Sequence, residues 1–279
     1  MNTAHALTMD MKKVNWNMVW REARQQRKYD RNDNSYWNRR APSFARHTKT
    51  SGYARNFLRL MNPKPEWSVL DVGCGAGTLA IPLAGLVQAV TAIDFSDVMI
   101  SILGERCWEQ AITNVTPCVI GWEDDWDMAG IAEHDVAIAS RSLVVEDLHA
   151  AVTKLDSKAR RKVFISSLVG DGPFDRRIFE AIGRELDRGP DYLCVYNLLH
   201  QMGIFADVTF VMNGDGGKVY SSIDEAVKGF RWMIGDMTAD EEARLRIYLE
   251  GHFVKKEGGW ALSYHHEVRW AIISWNKST

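Results

Sequence analysis

The sequence has four cysteines in 279 residues, Cys74, Cys107, Cys118 and Cys194, and no two of them form a CxxC pair. That scatter fits neither a disulfide framework nor a zinc site, so reduced thiols, no bound metal and a cytoplasmic setting are expected. Also missing is any uninterrupted apolar run near the roughly 18 residues that a membrane helix needs. The N-terminal stretch "MNTAHALTMDMKKVNWNMVW" lacks the basic-then-apolar order of a secretion signal, so neither membrane insertion nor export is expected. There is no large excess of either charge: 34 Lys and Arg stand against 36 Asp and Glu, for a formal net charge of -2. Global charge therefore argues neither for nor against a polyanionic partner. No internal repeat or low-complexity tract is present, which excludes solenoids and arrays.

What remains is an ordinary globular composition, 46% hydrophobic and 25% charged, long enough for one large domain with an elaboration. Charge is uneven locally, because residues 1–55 hold twelve Lys and Arg against four Asp and Glu. After "GYARNFLRLM", which places Tyr53, Phe57, Leu58 and Met61 at helical spacing, short apolar runs alternate with helical segments. The runs are "SVLDV", "AVTAID", "VTPCVIG", "DVAIASRS" and "KVFISSLV". That rhythm, with β-branched strands apolar on both faces, predicts an α/β, doubly wound, mainly parallel sheet. Beyond residue 170 the spacing predicts two helices, a strand "ADVTFVM" and a longer last strand in "SYHHEVRWAIISW" with Val268, Trp270, Ile272 and Ser274 on one face. Between those two strands, at about 213–260, lies an insertion whose helices start at the capping-box patterns Ser222/Glu225 and Thr238/Glu241.

The densest chemical signal is "VLDVGCGAGTLA", where Gly73, Gly75 and Gly77 follow a strand that ends near Asp71. Glycines after a strand let main chain turn tightly or approach a ligand closely. A dinucleotide-binding turn reads G-x-G-x-x-G, but here the spacing is G-x-G-x-G and Thr78 occupies the third position of that fingerprint. Asp71, two residues before the first glycine, would repel a pyrophosphate and attract an ammonium group. The pattern suits a cationic nucleoside without phosphates.

"VLDVGCGAGTLAIPLA" closely resembles the first motif of class I S-adenosylmethionine-dependent methyltransferases, and "VTAIDFSDVMI" agrees with the next. The resemblance covers roughly residues 55–212 and the last strand, and it is weak over the N-terminal arm and the insertion. It implies a seven-stranded sheet with an antiparallel C-terminal strand, an N-terminal helical arm or lid over 1–55, and a Rossmann-like domain over 56–279. It further implies S-adenosyl-L-methionine as cofactor, held by Asp71, Gly73, Gly75 and Gly77, with Asp94 accepting hydrogen bonds from both ribose hydroxyls. Trp122 and Glu123 would flank the adenine, and Ser140 and Arg141 at the end of the fourth strand would meet cofactor or substrate.

Tyr36, Trp37, Arg39, Arg40 and Phe44 are the lid candidates, with Arg39 or Arg40 facing the cofactor carboxylate. No catalytic base is assigned, although His200, His265 and His266 are available, the last two adjacent on the expected final strand. The favoured reading is transfer of a methyl group to a small-molecule acceptor by in-line displacement. A second reading, RNA or protein as acceptor, rests on the basic arm. It is disfavoured by "ASRSL", where amino-directed nucleic-acid enzymes of the family usually carry an Asn or Asp, two prolines and an aromatic. A third, a cofactor-binding protein without turnover, would look the same in sequence.

Overall fold

The computed structural model describes residues 13–25, 34–48, 52–186, 189–212 and 217–277. Three helices come first: α1 (Trp16–Gln25), α2 (Asn34–Thr48) and α3 (Gly52–Met61). There follow β1 (Ser68–Val72), α4 (Ala80–Ala84), β2 (Ala89–Asp94), α5 (Asp97–Glu109), β3 (Val115–Val119), β4 (His134–Ser140), α6 (Leu148–Ser157) and β5 (Ala159–Leu168). The rest is α7 (Arg176–Ile182), α8 (Tyr192–Gln201), β6 (Asp207–Met212), α9 (Ile223–Ile234), α10 (Ala239–His252), β7 (Phe253–Lys256), β8 (Gly259–Leu262) and β9 (Arg269–Asn276).

Seven strands form one sheet in the order β3-β2-β1-β4-β5-β9-β6, parallel except for β9, which runs antiparallel to both β5 and β6. Successive side chains on a strand face opposite ways, and here both faces are covered. Leu70, Val72, Ala137 and Ile165 pack with α1, α6 and α8, while Val69, Val136, Ile138 and Phe164 pack with α3, α4 and α5. The last strand is shorter than its sequence pattern suggests. Val268 and both His265 and His266 lie in the loop before β9, and Trp270 through Trp275 are all buried, because β9 sits between two strands with helices on either side.

Side-chain caps start the helices where the sequence places Ser, Thr or Asp. Ser96 accepts from the Met99 amide at α5, Asp147 from Ala150 at α6, and Asp191 from Leu193 at α8. The Thr238/Glu241 capping box is complete. At α9 the Ser222 hydroxyl caps Glu225, but the Glu225 carboxylate turns to Ser221 instead of the Ser222 amide.

The insertion carries the β7–β8 hairpin besides its two helices, turning through Gly258 (φ +85°) and Gly259 (φ +151°). It shares a satellite core with α7: Ile178, Phe179 and Ile182 pack with Val227, Phe230, Leu245 and Leu249. The boundary expected at 55/56 falls inside α3, whose Tyr53 and Phe57 are fully buried against the sheet. No helix among the described residues is long and apolar enough to cross a membrane.

Candidate functional site

A cavity of about 890 Å³ opens at the carboxyl ends of the parallel strands. That end collects strand-end side chains and loop amides, and in open α/β sheets it is where ligands sit. The loop after β1 forms one wall. The amides of Gly73 and Cys74 both donate to the Ile93 carbonyl, at 2.8 and 3.0 Å, and the Gly75 amide donates to Asp94 Oδ2 at 2.9 Å.

The three glycines serve three different neighbours. A Cβ on Gly73 (φ +67°) would lie 2.3 Å from Ser142 Cβ, so this glycine admits the loop after β4, whose Ser142 hydroxyl donates to the Val72 carbonyl at 2.6 Å. A Cβ on Gly75 (φ +55°) would point at Phe44 (3.4 Å) and Met99 (3.9 Å), both of which line the cavity. Gly77 (φ +86°) does not line it. Its Cβ would overlap Leu103 of α5 and Ile81 of α4 at 2.5 and 2.9 Å, so Gly77 lets the turn after β1 pack against those two helices.

Two buried carboxylates dominate the electrostatics. Asp94, at the end of β2, has Oδ2 on the Gly75 amide and Oδ1 on the Ser96 amide, each at 2.9 Å. Burial nonetheless raises its pKa, against those two amides. Asp71, 2% exposed, has Oδ2 without a hydrogen-bond partner among the described residues. Burial first, and the Asp94 charge second, push its carboxyl up to about 7, opposed by the Ala80 amide and Arg141. A buried, unpartnered carboxylate oxygen is costly unless a donor meets it. Because Asp71 belongs to the cavity lining, the chemistry that fits is a ligand carrying an ammonium or another cationic donor.

The helical arm forms the cover. Phe44 and Trp37 of α2 line the cavity, their rings 6.0 Å apart, and Asn38 reaches Ser96 and Asp97 at 2.6 and 2.8 Å. Arg106 of α5, itself buried, holds both layers by donating to the carbonyls of Ala76 and Ala45. Arg40 lines the cavity, donates to the Tyr36 hydroxyl at 2.7 Å and lies 5.5 Å from the Trp232 ring of α9. Tyr36 and Arg39 stand outside the lining, Arg39 bonded to Ser35 on an exposed face. Tyr36 acts on the cavity only through Arg40.

Trp122 and Glu123 both line the cavity. The Trp122 indole donates to the Ser142 carbonyl at 2.9 Å and packs 5.4 Å from Trp126. Ser140 and Arg141 line the floor. Ser140 Oγ lies 2.7 Å from the Tyr53 hydroxyl, which donates to Ser166 Oγ at 2.8 Å. None of His200, His265 and His266 lines the cavity: His266 bonds the Gly172 carbonyl at 3.1 Å, and His200 packs on Phe205. Cys118 is partly buried at the edge of the core.

Several lining residues carry no local signal. Trp20, Arg21 and Arg24 of α1 join the wall because the Trp20 indole donates to the Val145 carbonyl at 2.8 Å and Arg21 pairs with Asp147. Phe174, Trp232 and Trp270 arrive from the α7 entry loop, α9 and β9. Tyr53 had one cue, a lone hydroxyl on an otherwise apolar helix face, and a buried tyrosine usually finds a partner for it.

Residues 69–160 match the family model described as a methyltransferase domain. Over 242 residues the chain is 32% identical to an uncharacterized protein of Haemophilus influenzae strain Rd, covering 86% of this chain and 88% of that one. Among solved structures it is similar in fold to the YcgJ protein of Bacillus subtilis, with a TM-score of 0.51 and 13% identity over 84% of this chain and 99% of that one. It is similarly close to BH2331 of Bacillus halodurans C-125, a provisionally assigned methyltransferase, with a TM-score of 0.52 and 10% identity over 81% and 99% of the two chains.

Proposed function

Because the chain belongs to the class I S-adenosylmethionine-dependent methyltransferase family, we propose that it transfers a methyl group from S-adenosyl-L-methionine to a small-molecule acceptor. The observation that carries this reading is Asp71, a carboxylate in the cavity lining beside the glycine turn whose buried Oδ2 has no partner among the described residues. In this reading Asp71 holds the ammonium group of the cofactor. Asp94 uses the lone pairs not engaged by Gly75 and Ser96 to accept the ribose hydroxyls. Gly75 keeps the wall bare, Gly73 lines it while admitting the Ser142 loop, Trp122 and Glu123 flank the adenine, and Phe44 and Trp37 exclude water from above.

The bound cofactor supplies an activated methyl group on a good leaving group. What the chain must add is alignment and exclusion of water, which is catalysis by proximity. The floor at the ends of β4 and β5 has polar groups suited to orienting an acceptor. Since Ser166 Oγ accepts from both the Arg141 amide (2.9 Å) and the Tyr53 hydroxyl (2.8 Å), the Ser140 hydroxyl donates to Tyr53 and offers its lone pairs to the cavity. Such a group orients an acceptor through an N–H or O–H.

Two arginines of the arm are used internally, Arg21 on Asp147 and Arg40 on Tyr36 and the Trp232 carbonyl, which supports a lid rather than a nucleic-acid surface. The test is to incubate the protein with methyl-labelled S-adenosylmethionine and three acceptor pools: dialysable metabolites, total RNA and total protein. Label entering the metabolite pool alone is expected. Label entering RNA or protein would transfer the assignment to a macromolecular acceptor, and none in any pool would favour a binding protein without turnover.

A further inference from the structure

We propose that the acceptor half of the cavity takes a planar aromatic carboxylate, and that Arg141 is the residue that selects its charge. The proposal rests on the methyltransferase reading for the identity of the other occupant.

Charge is divided across the cavity by the order of the strands. Over β1, β2 and β3 the charged lining residues are Asp71, Asp94, Glu123 and Asp124, all acidic. That half suits a cationic nucleoside. Over β4, β5 and β9 the strand ends present Ser140, Arg141, Ser166 and Trp270. Glu146 is the acid of the β4–α6 loop in the lining, and Arg21, Arg24 and Arg40 enter from the arm, Arg21 paired with Asp147. At the strand ends of the acceptor half the cation is therefore Arg141.

The local build shows that the arginine is placed. Its backbone is left-handed, at φ +59°, a conformation that glycine or asparagine adopts at lower cost. The Arg141 amide donates to Ser166 Oγ at 2.9 Å, which ties that turn to β5. Its guanidinium carbon lies 4.2 Å from the centre of the Tyr53 ring and 5.5 Å from that of Trp270, and the two rings meet edge to face at 6.0 Å. A strained backbone that aims a clamped side chain into a cavity is a reason to look for function. An arginine so held carries its N–H donors in one plane, the arrangement that meets a carboxylate in two parallel bonds.

The walls supply the planar requirement. Phe174 and Trp232 pack 5.7 Å apart on the insertion side, and Trp270 faces the cavity from the sheet. Aromatic walls favour flat apolar bodies, and a few placed polar groups fix their orientation.

The experiment is calorimetric titration of the protein saturated with S-adenosylhomocysteine, using 2-naphthoate, its neutral isostere 2-naphthamide, and 2-naphthylmethylamine. Naphthoate is expected to bind at least about tenfold more tightly than the amide, and the amine more weakly than both, as a charge-assisted pair requires. In Arg141→Gln the preference should collapse while S-adenosylhomocysteine affinity stays within about threefold. Arg141→Asn, whose side chain tolerates positive φ, repeats the test if the glutamine variant folds poorly. Equal binding of the three probes, or an undiminished preference in the variants, overturns the proposal. Loss of S-adenosylhomocysteine binding with an unchanged naphthoate preference also overturns it and assigns Arg141 to the cofactor's own carboxylate. Failure of the wild type to bind S-adenosylhomocysteine would overturn the methyltransferase reading and this proposal with it.

Discussion

Asp71 and Asp94 end neighbouring strands, and the charge of Asp94 helps raise the proton affinity of Asp71. Their hydrogen bonding differs. Asp94 has both oxygens on backbone amides, while Asp71 Oδ2 has no partner among the described residues. One carboxylate is bonded into the glycine turn and the other is not.

Cofactor affinity should follow the Asp71 titration. Burial and then Asp94 hold this carboxyl at about 7, so binding an ammonium group requires loss of a proton below that pH. Affinity should fall as pH drops through about 7 and level off above it. Asp71→Asn should bind weakly, with a flat profile over the same range. A wild-type profile in that variant would show that the ammonium sits elsewhere.

The same carboxyl makes the folded protein less stable as pH rises. Its folded pKa lies above that of an ordinary unfolded carboxyl, so the folded state holds the proton more tightly. The cost of ionising it grows between about pH 4 and 7 and is fully present above 7. Without ligand, Asp71→Asn should therefore melt above the wild type at about pH 8, with a gap that narrows toward pH 5. Thermal melts at the two pH values check it, and a gap that widens at low pH would contradict it.

Asp94→Ala should weaken cofactor binding by orders of magnitude, since two charge-assisted ribose bonds are together worth roughly 2 to 5 kcal/mol. It also frees the Gly75 and Ser96 amides, so Asp94→Asn is the milder variant: it removes the charge and keeps one of the two acceptors, with its NH2 set against the other amide. Calorimetry with S-adenosylhomocysteine gives the answer. A change below about threefold in both variants would remove the ribose from Asp94.

Two glycine substitutions should separate ligand effects from folding effects. Gly77→Ala drives a Cβ to 2.5 Å from the fully buried Leu103 side chain at φ +86°, so it should lower the melting temperature. Gly75→Ala carries the backbone strain of φ +55° but meets Phe44 only at 3.4 Å, so it should cost less stability than Gly77→Ala and more cofactor affinity. Melts and titrations of both variants decide it. The reverse assignment of effects would place the ligand against Gly77.

If α2 is a lid, protease cleavage within α1 and α2 should slow when S-adenosylhomocysteine is added, and Phe44→Ala should abolish that protection. RNA binding should be weak at both low and moderate salt. Unchanged cleavage with tight, steeply salt-dependent RNA binding would favour the macromolecular reading.

The sheet was legible because its strands are short, β-branched and apolar on both faces, and because glycine and Asp71 spacing is set by backbone geometry within one turn. Asp71, Gly73, Gly75, Asp94, Trp122, Glu123, Ser140 and Arg141 all line one cavity, together with Trp37, Arg40 and Phe44. Gly77 shows the limit of spacing: three glycines read alike in sequence, yet what each must avoid is set by Ser142, Phe44 or Leu103, residues distant in the chain. Tyr36 and Trp37 are adjacent on one helix, so they face different ways and only Trp37 reaches the cavity. The walls from α1, α9 and β9 were not legible, since tertiary packing alone brings Trp20, Trp232 and Trp270 to the strand ends. The β7–β8 hairpin was announced only by "KEGG", a turn signal between two four-residue strands too short to show alternation.

The most direct test of the account is calorimetric titration of S-adenosylmethionine and S-adenosylhomocysteine into the wild-type protein, Asp71→Asn and Asp94→Asn. One molecule per chain should bind the wild type saturably, weakened at least about tenfold in each variant. No binding to the wild type, or wild-type affinity in both variants, would contradict it.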